Sequence, residues 1–264
     1  MIKNKDFYSF LIKVEDRNSF LVNNAVSYFF YSWLLKEVEK FDSKLSNTIH
    51  ASSKPYITVG DFFQIDESDN NSYSRITCFG KEIFDILIKI FDNDNNCIRI
   101  KNKKFKIFNS FTDFVENDSI VTKSDINKFL EIKNKNNIKE IKASFLTPVF
   151  FKKQNKNYIL PEPQILFTDL AKKWNEIKID PIDIDLLAKK SAHIYFSDVE
   201  IKSDTRVFKN IKQIGFTGKI KFHLDDVSED FRGTFAMLSE FGFYTGIGSK
   251  TTYGFGQYIS EIIE

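Results

Sequence analysis

The apolar positions of this chain change their period along its length. "FYSFLIKV" (residues 7–14) is rich in Phe and Ile and alternates, the period of a half-buried strand. From Asn24 the period lengthens. Val26, Phe30, Leu34, Val38, Phe41 and Leu45 stand at i, i+4, i+8, i+12, i+15 and i+19, which predicts one helix over 24–45. Pro55 excludes helix from "TIHASSKPYITVGDFF", which reads as a loop entering extended structure. "SDNNS" is a turn, "SRITCF" a strand, "GKEIFDILIKIF" a second helix and "CIRIKNKKFKIF" a hairpin. Strand, helix, strands, helix, strand is the ferredoxin-like order.

The segment "NKFLEIKNKNNIKEIK" is polar and rich in Lys and Asn, and reads as a linker. Beyond it the order repeats. "EIKASFLTPVFFKK" is a strand, "YILPEPQILF" an extended connection, and "FTDLAKKWNEI" an amphipathic helix with Thr168 and Asp169 near its start. "AHIYFSDVEIKS" and "GFTGKIKFHL" are strands, "EDFRGTFAMLSEFGFY" a helix and "TTYGFGQYISEII" a closing strand. The expected fold is therefore α+β, with two tandem ferredoxin-like domains over 1–136 and 137–264. Each would be an antiparallel sheet with helices on one face. No sequence repeat is visible between them.

Composition changes this picture little. The chain has 264 residues, 42% of them hydrophobic, and a formal net charge of +2, so a folded core is expected and disorder is not. A net charge this small neither announces nor excludes a nucleic-acid partner, since a local basic face is what matters. Only five of the 38 basic residues are Arg, and Lys, Asn, Ile and Phe abound, a bias that weakens any single Lys run as a signal. Cys78 and Cys97 have no metal-ligand spacing and read as two buried thiols of a reducing compartment. No apolar leader and no apolar run of membrane-spanning length is present, so a soluble, cytoplasmic chain is expected, with no membrane partner.

Glycine is distributed unevenly. Five of the ten glycines fall between Gly242 and Gly256. Within "GIGSKTTYGFG", Gly246, Gly248, Gly254 and Gly256 enclose Ser249, Lys250, Thr251, Thr252 and Phe255, three hydroxyls and an ammonium suited to facing phosphate. The spacing is not that of a P-loop. It is not a dinucleotide fingerprint either, because it follows a helix and precedes a strand. A tight helix-to-strand connection that merely needs glycine is the alternative.

"GIGSKTTYGFGQY" resembles the glycine-rich C-terminal signature of the CRISPR-associated RAMP proteins, and more narrowly of the endoribonucleases that process precursor CRISPR RNA. "TPVFF…LPEPQILFTDLAKKWN" resembles the start of that family's C-terminal domain, and "TIHASSKPYIT" its histidine-bearing N-terminal segment. The resemblance implies two RRM-like domains and cleavage of CRISPR repeat RNA without metal or other cofactor. It also implies attack by the 2′-OH, leaving a 2′,3′-cyclic phosphate and a 5′-OH. Such chemistry needs a proton acceptor, a proton donor and charge stabilisation at phosphorus.

Three histidines could move protons: His50, His193 and His223. The resemblance selects His50, just past the first helix, and gives Lys54 the stabilising role. Some relatives add a tyrosine from that helix. Here Leu35 stands at its place, so Tyr31 becomes the third candidate, with Ser52 or Ser53 as substitutes. Lys152 and Lys153, in the basic stretch "FFKKQNKN", join residues 246–256 as RNA contacts, and "KNKKFKIF" is a second basic, aromatic stretch. Expected partners are precursor CRISPR RNA and, in the family, effector-complex subunits, for a monomer or homodimer. Two other readings stay open: a catalytically silent RAMP subunit that only binds CRISPR RNA, and a small-molecule-binding ferredoxin-like protein.

Overall fold

A computed structural model of the chain describes residues 5–52, 56–66, 70–93, 97–112, 120–208 and 211–264. It divides into two compact units. One runs to Asp125 and includes Thr252–Gly254; the other comprises Ile126–Thr251 and Phe255–Glu264.

In the first unit, β1 (Phe7–Glu15) is followed by helices α1 (Phe20–Asn23), α2 (Ser27–Phe41) and α3 (Ser43–Ala51). Strands β2 (Ile57–Phe63) and β3 (Asn71–Phe79), helix α4 (Lys81–Phe91), and strands β4 (Cys97–Ile100), β5 (Lys103–Phe111) and β6 (Thr122–Ser124) complete it. The sheet order is β2-β3-β1-β5-β4, with β6 paired to the start of β1. β1 is antiparallel to both neighbours, which is the ferredoxin-like topology. The alternation in β1 has its expected consequence. Phe10, Ile12 and Val14 are fully buried, and Phe10 meets Phe91 of α4 edge-on.

The long first helix differs from the expectation. Val26, Phe30, Leu34 and Val38 are buried as the stripe requires, but the helix ends at Phe41, which is 53% exposed. Asp42 turns the chain extended (φ −153°), and its carboxylate accepts from the Leu45 N–H, capping a separate helix. Aspartate suits that position because it satisfies an otherwise orphaned N–H. His50 therefore lies in the last turn of α3 rather than beyond the helix.

The second unit begins with α5 (Ile126–Lys133), inside the stretch read as a linker. Its Phe129 is 1% exposed and meets Trp174, Phe241 and Tyr244 edge-on, which anchors this segment in the second unit. The division between units thus falls before α5 and not at 136/137.

Then come β7 (Glu140–Val149), the hairpin β8 (Phe151–Lys153) and β9 (Lys156–Tyr158), and helices α6 (Pro163–Asn175) and α7 (Ile184–Ser191). Strands β10 (Tyr195–Phe208) and β11 (Ile211–His223), helix α8 (Glu229–Thr245), a 3-10 turn (Thr251–Tyr253) and β12 (Tyr258–Ile263) follow. The sheet order β10-β11-β7-β12 is again ferredoxin-like. Two boundaries move. Pro163 opens α6, where its missing N–H costs nothing, so Thr168 and Asp169 sit inside the helix. The closing strand starts at Tyr258, because residues 251–253 form the 3-10 turn.

Candidate RNA-processing site

His50 is exposed, and the side chains on either side of it in α3 explain its presentation. Ile49 is buried, and the buried Ser46 hydroxyl donates to the Leu35 carbonyl at 3.0 Å. These residues fasten one face of α3 and turn His50 outward. Lys54 and Ser53 lie outside the described residues.

Tyr31 is placed differently from His50. It is 5% exposed and meets Tyr253 edge-on at 5.5 Å within the first unit. Burial, and then the Tyr253 phenol, hold its hydroxyl well above the usual tyrosine range, so it stays protonated at neutral pH.

The other two histidines have different surroundings. His193 is exposed in the turn after α7. His223 is enclosed: Nε2 lies 2.8 Å from Ser197 Oγ, Nδ1 lies 3.3 Å from Glu140 Oε1, and the ring stacks on Tyr195 at 4.6 Å. Both of its nitrogens are already engaged within the sheet.

The glycine segment is built by close backbone approach. Gly256 has φ +68°, and a Cβ there would stand 2.1 Å from the Ile247 carbonyl oxygen. Gly248 has φ +77°, and its Cβ would stand 2.5 Å from the Phe150 carbonyl oxygen. Five N–H groups of this segment have protein acceptors. Gly246 donates to the Gly242 carbonyl, Ile247 to Gly256, Ser249 to Phe150 and Gly256 to Pro148, at 2.8–3.1 Å. Gly248 donates to Asp169 Oδ2 at 2.9 Å. Among its side chains, Lys250 and the hydroxyls of Ser249 and Thr252 are partly exposed, whereas Thr251 is buried.

Two residues that the sequence did not single out for this role secure the loop. Lys173 donates to the Gly246 and Gly248 carbonyls at 2.9 and 3.0 Å and pairs with Asp169 at 2.9 Å. Their i, i+4 spacing in "FTDLAKKW" places them on one face of α6, a signal that became meaningful only once the loop was seen against that face.

Lys152 and Lys250 are brought together. Their ammonium groups lie 5.7 and 5.8 Å from the ring of the buried Phe150. Lys153 instead stands 4.9 Å over the Tyr158 ring. Between them the β8–β9 turn has φ 51° at Gln154 and 62° at Asn155, the twist that a two-residue hairpin needs. Phe255 is 2% exposed and meets Phe150 edge-on at 5.5 Å, so it serves the base of this cluster.

Among the described residues, no group of three or more His, Cys, Asp or Glu side chains converges as a metal site would require, and no helix is long and apolar enough to cross a membrane.

Residues 143–258 match the sequence profile of the family described as CRISPR-associated endoribonuclease Cas6. A CRISPR-associated endoribonuclease Cas6 of Mycobacterium tuberculosis (strain CDC 1551 / Oshkosh) is 29% identical over 120 residues, covering 45% of this chain and 38% of that protein. One from Streptococcus thermophilus is 29% identical over 137 residues, 49% of this chain and 54% of that protein. The alignments thus span about half or less of these relatives' lengths. Among solved structures, a Cas6 product complex superposes with TM-score 0.81 at 15% identity, covering 97% of this chain and 100% of the other. A Thermus thermophilus Cas6 gives 0.72 at 15% identity, covering 97% and 99%. At such identities the likeness establishes the fold, two tandem ferredoxin-like domains. Residues 143–258, which hold the glycine segment and its α6 clamp, are thus similar in sequence to the CRISPR-associated endoribonuclease Cas6 family.

Proposed function

We propose that the protein is a metal-independent endoribonuclease that cuts precursor CRISPR RNA within its repeats. The observation that carries this reading is the Cas6 match over residues 143–258. A RAMP protein of similar fold (TM-score 0.60, 13% identity) is described as binding different RNA substrates, which supports RNA as the ligand.

The exposed His50, set at a helix C-terminus, supports the chemistry. In this reading His50 moves a proton at the scissile nucleotide, either taking it from the 2′-OH or giving it to the leaving 5′-oxygen. The 2′-oxygen attacks phosphorus, the bond to the 5′-oxygen breaks, and a 2′,3′-cyclic phosphate and a 5′-OH remain. Lys54, four residues along the chain, stabilises the charge that builds on the phosphoryl oxygens. Lys152, Lys153, Lys250 and the hydroxyls of Ser249 and Thr252 hold the RNA backbone. Tyr31 is only 5% exposed, so in this reading His50 and Lys54 carry most of the chemistry.

The test is single-turnover cleavage of a repeat RNA in EDTA, beside the same RNA carrying 2′-deoxyribose at the scissile nucleotide. Full activity in EDTA and none on the intact-binding deoxy substrate are expected. Activity that vanishes in EDTA and returns with Mg²⁺, or cleavage of the deoxy substrate, refutes the mechanism. Binding without cleavage of either RNA identifies a silent RAMP subunit.

A further inference from the structure

The β4–β5 hairpin of the first unit carries a concentration of cations that the glycine segment and its neighbours do not use. Lys104, Lys106 and Phe108 alternate along β5 and are all exposed, so they share one side of the strand. Phe108 is 47% exposed, unusual for so large an apolar ring. Two ammonium groups flank it: Lys106 at 5.5 Å and, from the neighbouring strand β1, Lys13 at 5.8 Å.

On the other side of β5, Phe20 stacks on Phe105, with Lys103 at 3.9 Å and Lys101 at 5.9 Å from the Phe20 ring. Beside them runs an open groove of ≈ 470 Å³ between Lys103–Lys106 and the Glu15–Phe20 segment.

Charge accounting separates this hairpin from an ordinary solvated edge. Among the described residues, none of Lys13, Lys101, Lys103, Lys104 and Lys106 has a carboxylate within 4.0 Å. The two acids facing the groove are already committed. Glu15 is paired with Arg17 at 2.6 Å, and the buried Asp16 accepts from the Phe20 and Leu21 N–H groups and from Ser72 Oγ. The hairpin therefore presents ammonium groups without a carboxylate partner on both sides of β5, and on one of them beside the exposed Phe108 ring.

We infer that this hairpin binds single-stranded RNA, with Phe108 as the platform on which an unpaired base stacks and Lys13, Lys104 and Lys106 as phosphate partners. It rests on RNA being this protein's ligand. An unstacked base matches an exposed ring, because a base inside a duplex offers no free face. The ammonium groups suit the backbone on either side of that base.

The experiment measures oligouridine affinity across a salt series for wild type, Phe108→Ala, Phe108→Tyr and Lys104→Ala/Lys106→Ala, alongside melting temperature and wild-type cleavage of repeat RNA. Phe108→Ala is expected to lose roughly tenfold or more in affinity with its melting point unchanged, since the ring is half in solvent. Phe108→Tyr keeps a stacking face and retains the affinity. The double lysine variant flattens the slope of log K against log salt by about 1.4, two phosphate contacts at about 0.7 each.

Unchanged oligouridine affinity in Phe108→Ala overturns the assignment, as does preference of the wild type for a polyglutamate peptide over oligouridine. Where wild type still cuts repeat RNA, such a result removes the platform alone. A wild type that neither cuts repeats nor binds any RNA removes the proposed function with it.

Discussion

At the residue scale, the three histidines separate by what surrounds them. His223 has both ring nitrogens engaged and its face covered by Tyr195, so reaching a substrate would mean breaking those contacts. His50 is exposed at a helix end. His50→Ala should therefore slow single-turnover cleavage by roughly 10²-fold or more, the scale of a lost acid–base group. His193→Ala and His223→Ala should cost far less; equal rates for all three variants would move the chemistry elsewhere.

The glycines and Lys250 answer different questions. A methyl at Gly248 meets the Phe150 carbonyl and forces an L-residue to φ +77°, so Gly248→Ala should cost stability, about 1–3 kcal/mol read as a lower denaturation midpoint. Lys250 is the cleaner probe of RNA. Lys250→Ala should flatten the salt slope of repeat-RNA binding by about 0.7, and an unchanged slope would remove it from the phosphate contacts.

At the element scale, the break at Asp42 decides where His50 stands. The apolar stripe through Val38 is continuous with Phe41 and Leu45 on paper, yet the capping carboxylate ends one helix and starts another. Removing the cap in Asp42→Ala should destabilise the first unit by about 1 kcal/mol, with Asp42→Ser recovering most of it, both read by thermal denaturation. Periodicity was a sound guide to α4, α8 and the β4–β5 hairpin, which the structure places where the pattern put them. It was a poor guide to α5. Phe129 is that helix's one buried residue, and its other apolar residues, Ile126, Leu130 and Ile132, are only half-buried, too short a pattern to stand out in a lysine-rich stretch.

At the scale of the whole molecule, the sequence by itself determined the class of fold. The α+β order, occurring twice, follows from where the apolar period changes from two to 3.6, and that is local information. It also singled out the glycine segment, because scarcity elsewhere made five glycines in fifteen residues conspicuous. What that segment's backbone does was decided only by the tertiary structure. Five of its N–H groups are satisfied by Gly242, Gly256, Asp169, Phe150 and Pro148, of which three lie far away in the chain. The same holds for the meeting of Lys152 with Lys250 over Phe150, for the burial of Tyr31, and for the enclosure of His223 by Glu140 and Ser197. A periodic pattern records which face of an element is turned inward. Which distant donor or ring it meets there depends on how several elements close around one core, and no single stretch of sequence carries that.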